Sequence, residues 1–255
     1  MDALSNDFYA NILKYWQALK INSADELDLA LHNFRILFAY HSGKIENQQI
    51  EYHDTREIFE NGRVTGFSGD PRALVEQQNQ KLCYEFLKSK IVNKEPLSLE
   101  LIKEVHRILT AGAYDETRYI SRCERPGEFK KHDYVTGLHE VGYAPDEVEN
   151  AIVELLNEIN QSPADPLKTT AYFHAVFEFI HPFADGNGRV GRTLMNYSLM
   201  THGYPPLIVY DEDKKSYYKA LELYDADEDL EPLIDFLRDQ TIKTWLKTLE
   251  RMRFQ

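Results

Sequence analysis

His181-Pro-Phe-Ala-Asp-Gly-Asn-Gly-Arg-Val-Gly-Arg192 lies between two stretches of helical character. Upstream, Thr169 to Ile180 is apolar and aromatic, with Ala171, Phe173, Ala175, Val176, Phe177, Phe179 and Ile180. Downstream, Arg189 to His202 carries Val190, Leu194, Met195, Leu199 and Met200 at roughly helical spacing. Gly203 ends that helix, and Pro205-Pro206 keeps it ended. Gly186-Asn187-Gly188 therefore feeds a helix N-terminus. Glycines there let backbone N–H groups converge, and the first N–H groups of a helix lack internal partners and favour an anion. Arg189 and Arg192, three apart, share one helix face. The stretch reads as a cradle for a polyphosphate. Asp185 offers a hard oxygen suited to Mg²⁺, and His181 a proton acceptor near neutral pH. Any one of these residues is commonly a turn or packing residue. The base, the acid, the anion nest and two arginines in one short stretch point jointly to chemistry.

The whole chain sets bounds. It has 255 residues, 43% of them apolar, which suffices for a core in one large domain or two small ones. A net charge of −13 argues against a general nucleic-acid or anionic-membrane surface. Cys83 and Cys123 make no disulfide framework or metal spacing and read as buried or idle thiols. The acidic start lacks an apolar signal core and no run reaches spanning length, so the expectation is a cytoplasmic protein.

Outward from the central stretch, most segments read as helices. Phe8 to Leu19 is a first one. Ser23-Ala-Asp-Glu26 has the form of a capping box and opens a second through Phe38. His41 to Asn47 is locally a polar helix end or turn. Thr55 is placed to cap a short helix ended by Asn61-Gly62. Ala73 to Lys90 is long and amphipathic, and Leu99 to Thr110 follows, with His106 as a packing or supporting histidine. Ala111 to Ala144 is the least helical part. Tyr134-Val135-Thr136 and Val141-Gly142-Tyr143 are β-prone runs that suggest a small hairpin. Asp146 to Ile159 is helical, Ser162 to Pro166 a loop, and Tyr204 to Tyr210 extended. Lys214 to Tyr224 is helical, Asp225 to Glu231 an acidic loop, and Leu233 to Phe254 a last helix for packing or an interface, which leaves room for a homodimer.

The stretch 181–192 resembles the Fic motif, H-x-F-x-D/E-G-N-G-R-x-x-R, at every fixed position. The resemblance implies an all-α Fic fold, a helical bundle with a small β-hairpin flap, and transfer of AMP from ATP to a hydroxyl of a target protein. It implies His181 as general base and Asp185 as Mg²⁺ ligand. Gly186, Asn187, Gly188, Arg189 and Arg192 would hold the phosphates, and Phe183 would anchor the loop. Ser42-x-x-x-Glu46-Asn47 resembles the family's inhibitory motif, in which the glutamate pairs with the second arginine, here Arg192. Its place before the core resembles the subclass with an N-terminal inhibitory helix. The position of Val141, Gly142 and Tyr143 resembles the flap that docks the target segment. Ser216-Tyr-Tyr218 resembles the adenine-side tyrosine pair and implies Tyr218 as a nucleotide contact; Asp225 stands where relatives often have asparagine. The resemblance runs from about Ser42 to Leu237.

The expectation is thus a single Fic domain over 1–255. It comprises N-terminal helices over 1–60 with the inhibitory segment at 42–47, a core over 97–237, and a C-terminal helix over 238–255. It uses ATP and Mg²⁺ and a protein partner with an exposed Ser, Thr or Tyr hydroxyl, and neither nucleic acid nor membrane. The rival readings are removal of AMP from a modified protein at the same site, a non-catalytic nucleotide-binding module, and phosphate transfer. An intact His181 and Asp185 weigh against the binder, and Gly186 and Gly188 flanking Asn187 weigh against phosphate transfer.

Overall fold

Eleven α-helices carry the residues that the structure, a computed structural model, describes: 3–134, 142–161 and 165–253. In order they are α1 (Ala3–Ala18), α2 (Ala24–Ala30), α3 (His32–Glu46), α4 (Tyr52–Asn61), α5 (Pro71–Val92), α6 (Leu99–Thr110), α7 (Val148–Gln161), α8 (Pro166–Ile180), α9 (Asn187–Thr201), α10 (Lys214–Asp227) and α11 (Glu231–Arg253). Among the described residues there is no strand. Most of the expected hairpin, residues 135–141 including Val141, lies outside them.

The hairpin of α8 and α9 sits at the centre, and the sequence explains why. Along α8, Phe173, Phe177 and Ile180 form one helical stripe and enter the larger apolar core with α5, α6 and α7. Leu167, Ala171 and Ala175 form a second stripe and enter a smaller core with α10 and α11. Each buried phenylalanine contributes on the order of 1.5–3 kcal/mol. Helix α9 serves both cores and is buried at thirteen of its fifteen positions. A helix covered on all sides need not be amphipathic, so its polar residues are spent on hydrogen bonds. Asn196 holds the extended segment after α9, accepting from Leu207 N–H and donating to its carbonyl, both at 2.8 Å. At the far side α1 packs on α11 through Trp16 and Trp245.

Several boundaries differ from the sequence reading. The helix expected from Ser23 through Phe38 is two, broken at the buried Leu31. Only half of the capping box forms: Ser23 Oγ accepts from Glu26 N–H, while the Glu26 carboxylate turns to Asn22 N–H. Glu51, not Thr55, caps α4; Thr55 lies inside the helix and its hydroxyl reaches Gln77. Pro71 and Pro166 open their helices instead of closing the loops before them, since a first-turn residue needs no N–H. The segment at 41–46 is the end of α3, the first of the two forms expected for it, while α10 runs on to Asp227, into the expected acidic loop.

Candidate active site

The loop between α8 and α9 is pinned from both ends. His181 closes α8 in the left-handed region at φ 51°, its N–H donating to Phe177 O at 3.1 Å. That conformation costs a non-glycine residue roughly 1–2 kcal/mol. Neighbouring chain holds it: Tyr143 N–H donates to Ile180 O at 3.1 Å and Lys130 N–H to Pro182 O at 2.9 Å. Phe183 is fully buried and stacks on His106, ring centroids 3.7 Å apart. Asn187, the first residue of α9, closes the loop on itself, accepting from Phe183 N–H and donating to Phe183 O at 2.8 Å each. His106 supports the same loop. Its Nδ1 accepts from Gly127 N–H at 2.8 Å, so Nε2 carries the proton and donates to Asp185 O at 3.1 Å. Burial pushes the His106 imidazole down to about 3, consistent with a neutral supporting ring.

His181 is held neutral too. Burial, then the Lys130 charge, pushes it down to about 4, outweighing a hydrogen bond to the Glu178 carbonyl and the negative charges of Glu46 and Asp185. The bond to that carbonyl fixes one ring nitrogen as donor and leaves the other free to accept a proton. Burial acts to raise the Asp185 carboxyl, but Arg189 and Arg72 outweigh it and hold it below its ordinary value. Asp185 is therefore an ionised oxygen donor.

Two glycines shape the nest. Gly186 sits at φ 82° as the cap of α9, and a Cβ there would lie 2.7 Å from Thr110 Cγ2. A Cβ on Gly188 would lie 2.6 Å from Glu46 Oε1 and 2.9 Å from Arg192 Nη1. The carboxylate of Glu46 thus lies over the start of α9, where an anion is favoured. Arg192 is buried, 1% exposed, and its Nη2 donates to Glu46 Oε1 at 2.8 Å and to Ser42 O at 3.1 Å. Its Nε donates to Ser42 Oγ at 3.1 Å. Both Ser42 and Glu46 lie on the last turn of α3, four apart and on one face. Lys214 Nζ donates to Ile45 O, and His41 Nδ1 meets Asp211 Oδ1 at 2.6 Å, so the chain leading into α10 ties down the same turn.

Tyr218 lies on α10 over Lys214, partly exposed, and feels the charges of Glu46 and Arg192. Its neighbour Tyr217 is buried and bonds His174 Nε2 at 2.6 Å. Gly142 and Tyr143 lie beside the end of α8.

Three residues that the sequence reading missed complete the surroundings. Arg72 Nη2 contacts Asp185 Oδ2 at 2.5 Å. Glu76 Oε1 lies 2.9 Å from Arg72 Nε and 2.8 Å from Arg189 Nη1. Glu178 points toward Gly191 and Arg192, and burial raises its carboxyl to about 7 against the pull of Arg192. The run Glu76-Gln77-Gln78-Asn79-Gln80 in a helix was the available signal, since so many polar residues on successive faces imply a polar side turned inward.

The donor set suits a metal–triphosphate. An ionised carboxylate adjoins a helix N-terminus with no room for side chains. Arg189 Nε and Arg192 Nη1 are buried donors without a hydrogen-bond acceptor among the described residues, and phosphate oxygens would supply one.

Residues 96–199 match the model of the Fic/DOC family. The protein adenylyltransferase Fic of Drosophila persimilis is 31% identical over 211 residues, 80% of this chain and 39% of that protein. The protein of the same name in Drosophila melanogaster is 30% identical over 80% of this chain and 40% of its own. The chain thus spans about two fifths of the length of the curated relatives it matches. A Fic domain containing signaling protein from Bacteroides thetaiotaomicron superposes with a TM-score of 0.79 at 24% identity, covering 93% of each chain. Fic-1 from C. elegans superposes with a TM-score of 0.79 at 22% identity, over 99% of this chain and 74% of that one. No helix among the described residues is long and apolar enough to cross a membrane.

Proposed function

We propose that this chain, a member of the Fic/DOC family, is a protein adenylyltransferase that moves AMP from ATP to a Ser, Thr or Tyr hydroxyl of a target protein. The observation that carries the reading is a neutral, pinned His181 beside an ionised Asp185 at the mouth of a glycine-lined helix N-terminus. The target oxygen attacks the α-phosphorus of ATP, the bond to the bridging oxygen of pyrophosphate breaks, and the hydroxyl proton passes to the free ring nitrogen of His181. Chemistry of this kind is mostly positioning and charge stabilisation. Gly186, Asn187 and Gly188 present backbone to the phosphates, and Arg189 and Arg192 spread the charge of the departing pyrophosphate. Mg²⁺ held by Asp185 would neutralise part of the triphosphate charge. Tyr218 flanks the base, and the flap at 141–143, of which Gly142 and Tyr143 lie against the end of α8, holds the target segment by backbone pairing. The chain acts as one domain, with Ser42 and Glu46 as its inhibitory turn.

Glu46 pairs with the arginine that the γ-phosphate needs and lies over the nest itself. This geometry supports autoinhibition: ATP binds misplaced until the last turn of α3 withdraws. The rival activity, removal of AMP with Glu46 orienting a water, uses the same residues, so both directions are assayed. Labelled ATP and a cell lysate are incubated with the wild type and with His181→Ala, and AMP release from a labelled protein is followed in parallel. Loss of a general base lowers transfer by about 10²–10⁴, while ATP affinity stays near the wild-type value because the imidazole faces the hydroxyl. Undiminished labelling by the variant contradicts the role of His181.

A further inference from the structure

Among the described residues, the cation that meets Asp185 Oδ2, Arg72, comes from neither motif. Asp185 has two carboxylate oxygens, and they are used differently. Oδ1 accepts from Gly186 N–H at 2.7 Å and has the buried Arg189 at 3.6 Å. Oδ2 is met by Arg72 Nη2 at 2.5 Å. Arg72 is the second residue of α5. A cation in the first turn of a helix opposes the helix dipole, so α5 itself gives no reason for an arginine there. The reason lies in the two carboxylates it faces. Glu76, one turn on, takes Arg72 Nε at 2.9 Å and is itself buried against Arg189. Arg72 is 32% exposed and Asp185 21%, whereas Arg189 is 3% exposed. Of the two arginines paired with Asp185, Arg72 is the one with solvent to move into, and its bond to Glu76 keeps it tethered when Oδ2 is released.

We propose that Arg72 is a positioning residue that stands in for the divalent cation at Asp185: it holds Oδ2 while no metal is present and is displaced, still tethered by Glu76, when metal binds with nucleotide. The inference rests on the reading of Asp185 as the metal ligand. Two cations do not share one carboxylate oxygen without repulsion, so metal binding works against the Arg72–Asp185 contact. Removing the guanidinium therefore strengthens the metal's contribution to nucleotide binding and weakens the metal-free fold. A purely structural arginine would change stability alone.

The test is calorimetric and does not depend on turnover. Affinity for ADP is measured without metal and with Mg²⁺, and the ratio of the two gives the metal's contribution. In Arg72→Met that ratio is expected to rise about tenfold, the strength of one charge-assisted contact at a partly exposed site. The metal-free melting temperature falls, and Mg·ADP restores more of it than in the wild type. Arg72→Lys, which keeps the charge but not the fork, gives a smaller rise and guards against loss of fold in the first variant. Asp185→Asn collapses the ratio towards one in both backgrounds. If Asp185→Asn collapses the ratio but Arg72→Met leaves it unchanged or lowers it, the proposal for Arg72 is overturned and the metal reading stands. If Asp185→Asn leaves the ratio intact, the metal reading itself fails and this proposal falls with it.

Discussion

Arg189 and Arg192 sit one turn apart on α9, and each faces a carboxylate from an earlier helix, yet the two pairs are built differently. Arg189 faces Glu76 from the interior of α5, and both partners are enclosed, 3% and 6% exposed. Arg192 is as buried as Arg189, but its partner Glu46 is the last residue of α3 and is 35% exposed. A carboxylate in mid-helix and out of solvent has nowhere to go. One at a helix end, next to solvent, leaves when a few residues fray. The first pair is part of the fold, and the second has the form of a latch. On the proposed function both arginines serve the cradle, and of the two it is Arg192 whose partner lies next to solvent.

The contrast is tested first through stability. Removing one partner of an enclosed ion pair costs about 3–5 kcal/mol, since the remaining charge stays buried. Glu76→Gln should therefore lower the melting temperature by about 2–4 °C for each kcal/mol lost. Glu46→Gln, with the substituted side chain next to solvent and its amide still able to accept from Arg192, should cost less than Glu76→Gln. Thermal denaturation of the two variants side by side decides it; equal losses would erase the distinction between scaffold and latch.

Acid sharpens the contrast further. Burial would raise the Glu46 carboxyl, but Arg192 outweighs it and holds it below its ordinary value. A carboxylate with a depressed folded pKa stabilises above its unfolded value near 4.5 and loses that stabilisation only as pH falls through the lower folded value. The Glu46–Arg192 pair, the latch of the proposed autoinhibition, therefore persists in mild acid. His181, the proposed base, titrates low as well, at about 4, so it is neutral above that pH and protonated below it. The kcat/KM profile of Glu46→Gly should hold its level well below pH 6.5 and fall at or below about 4, since the Glu46 charge that raises the imidazole is gone. An acid limb near 6.5 would mean that the imidazole is not shielded as the structure has it.

A pH-dependent contrast is expected at Glu178, which faces Arg192 without pairing with it. Its folded pKa is raised to about 7 by burial, so the folded state holds a proton that the unfolded chain releases near 4.5. The penalty for ionising it is absent below that lower value and complete above pH 7. Glu178→Gln should therefore raise the melting temperature at pH 8 and lose the advantage at pH 4. A uniform shift across pH would indicate a packing effect instead.

The central hairpin was legible because its evidence is local. The apolar stripes of α8, the stop at Gly203 and the Gly-Asn-Gly turn are all written within 181–192 and its flanks. The place of Glu46 against Arg192 came from resemblance, since Ser42 to Asn47 alone looks like a helix end, which it also is. Arg72 and Glu76 escaped because they lie more than a hundred residues before Asp185 in a helix whose inward face is polar. Glu76, Gln77, Asn79 and Gln80 are all buried on α5, and apolar periodicity is blind to a face of that kind. Breaks such as the one at Leu31 carry no glycine or proline to announce them. The flap is legible only as a β-prone pattern, and its central residues 135–141 lie outside those described.

The central claim, an adenylyltransferase restrained through Arg192, is tested most directly by a double-variant cycle on protein labelling from labelled ATP. Wild type, Glu46→Gly, Arg192→Ala and the double variant are compared at equal concentration. Releasing a charge-assisted contact of ~1.5–3 kcal/mol predicts roughly ten- to a hundredfold more labelling by Glu46→Gly than by wild type. With Arg192→Ala, labelling should be lost whether or not Glu46 is present. Activation by Glu46→Gly that persists in the Arg192→Ala background, or no activation at all, would contradict the account.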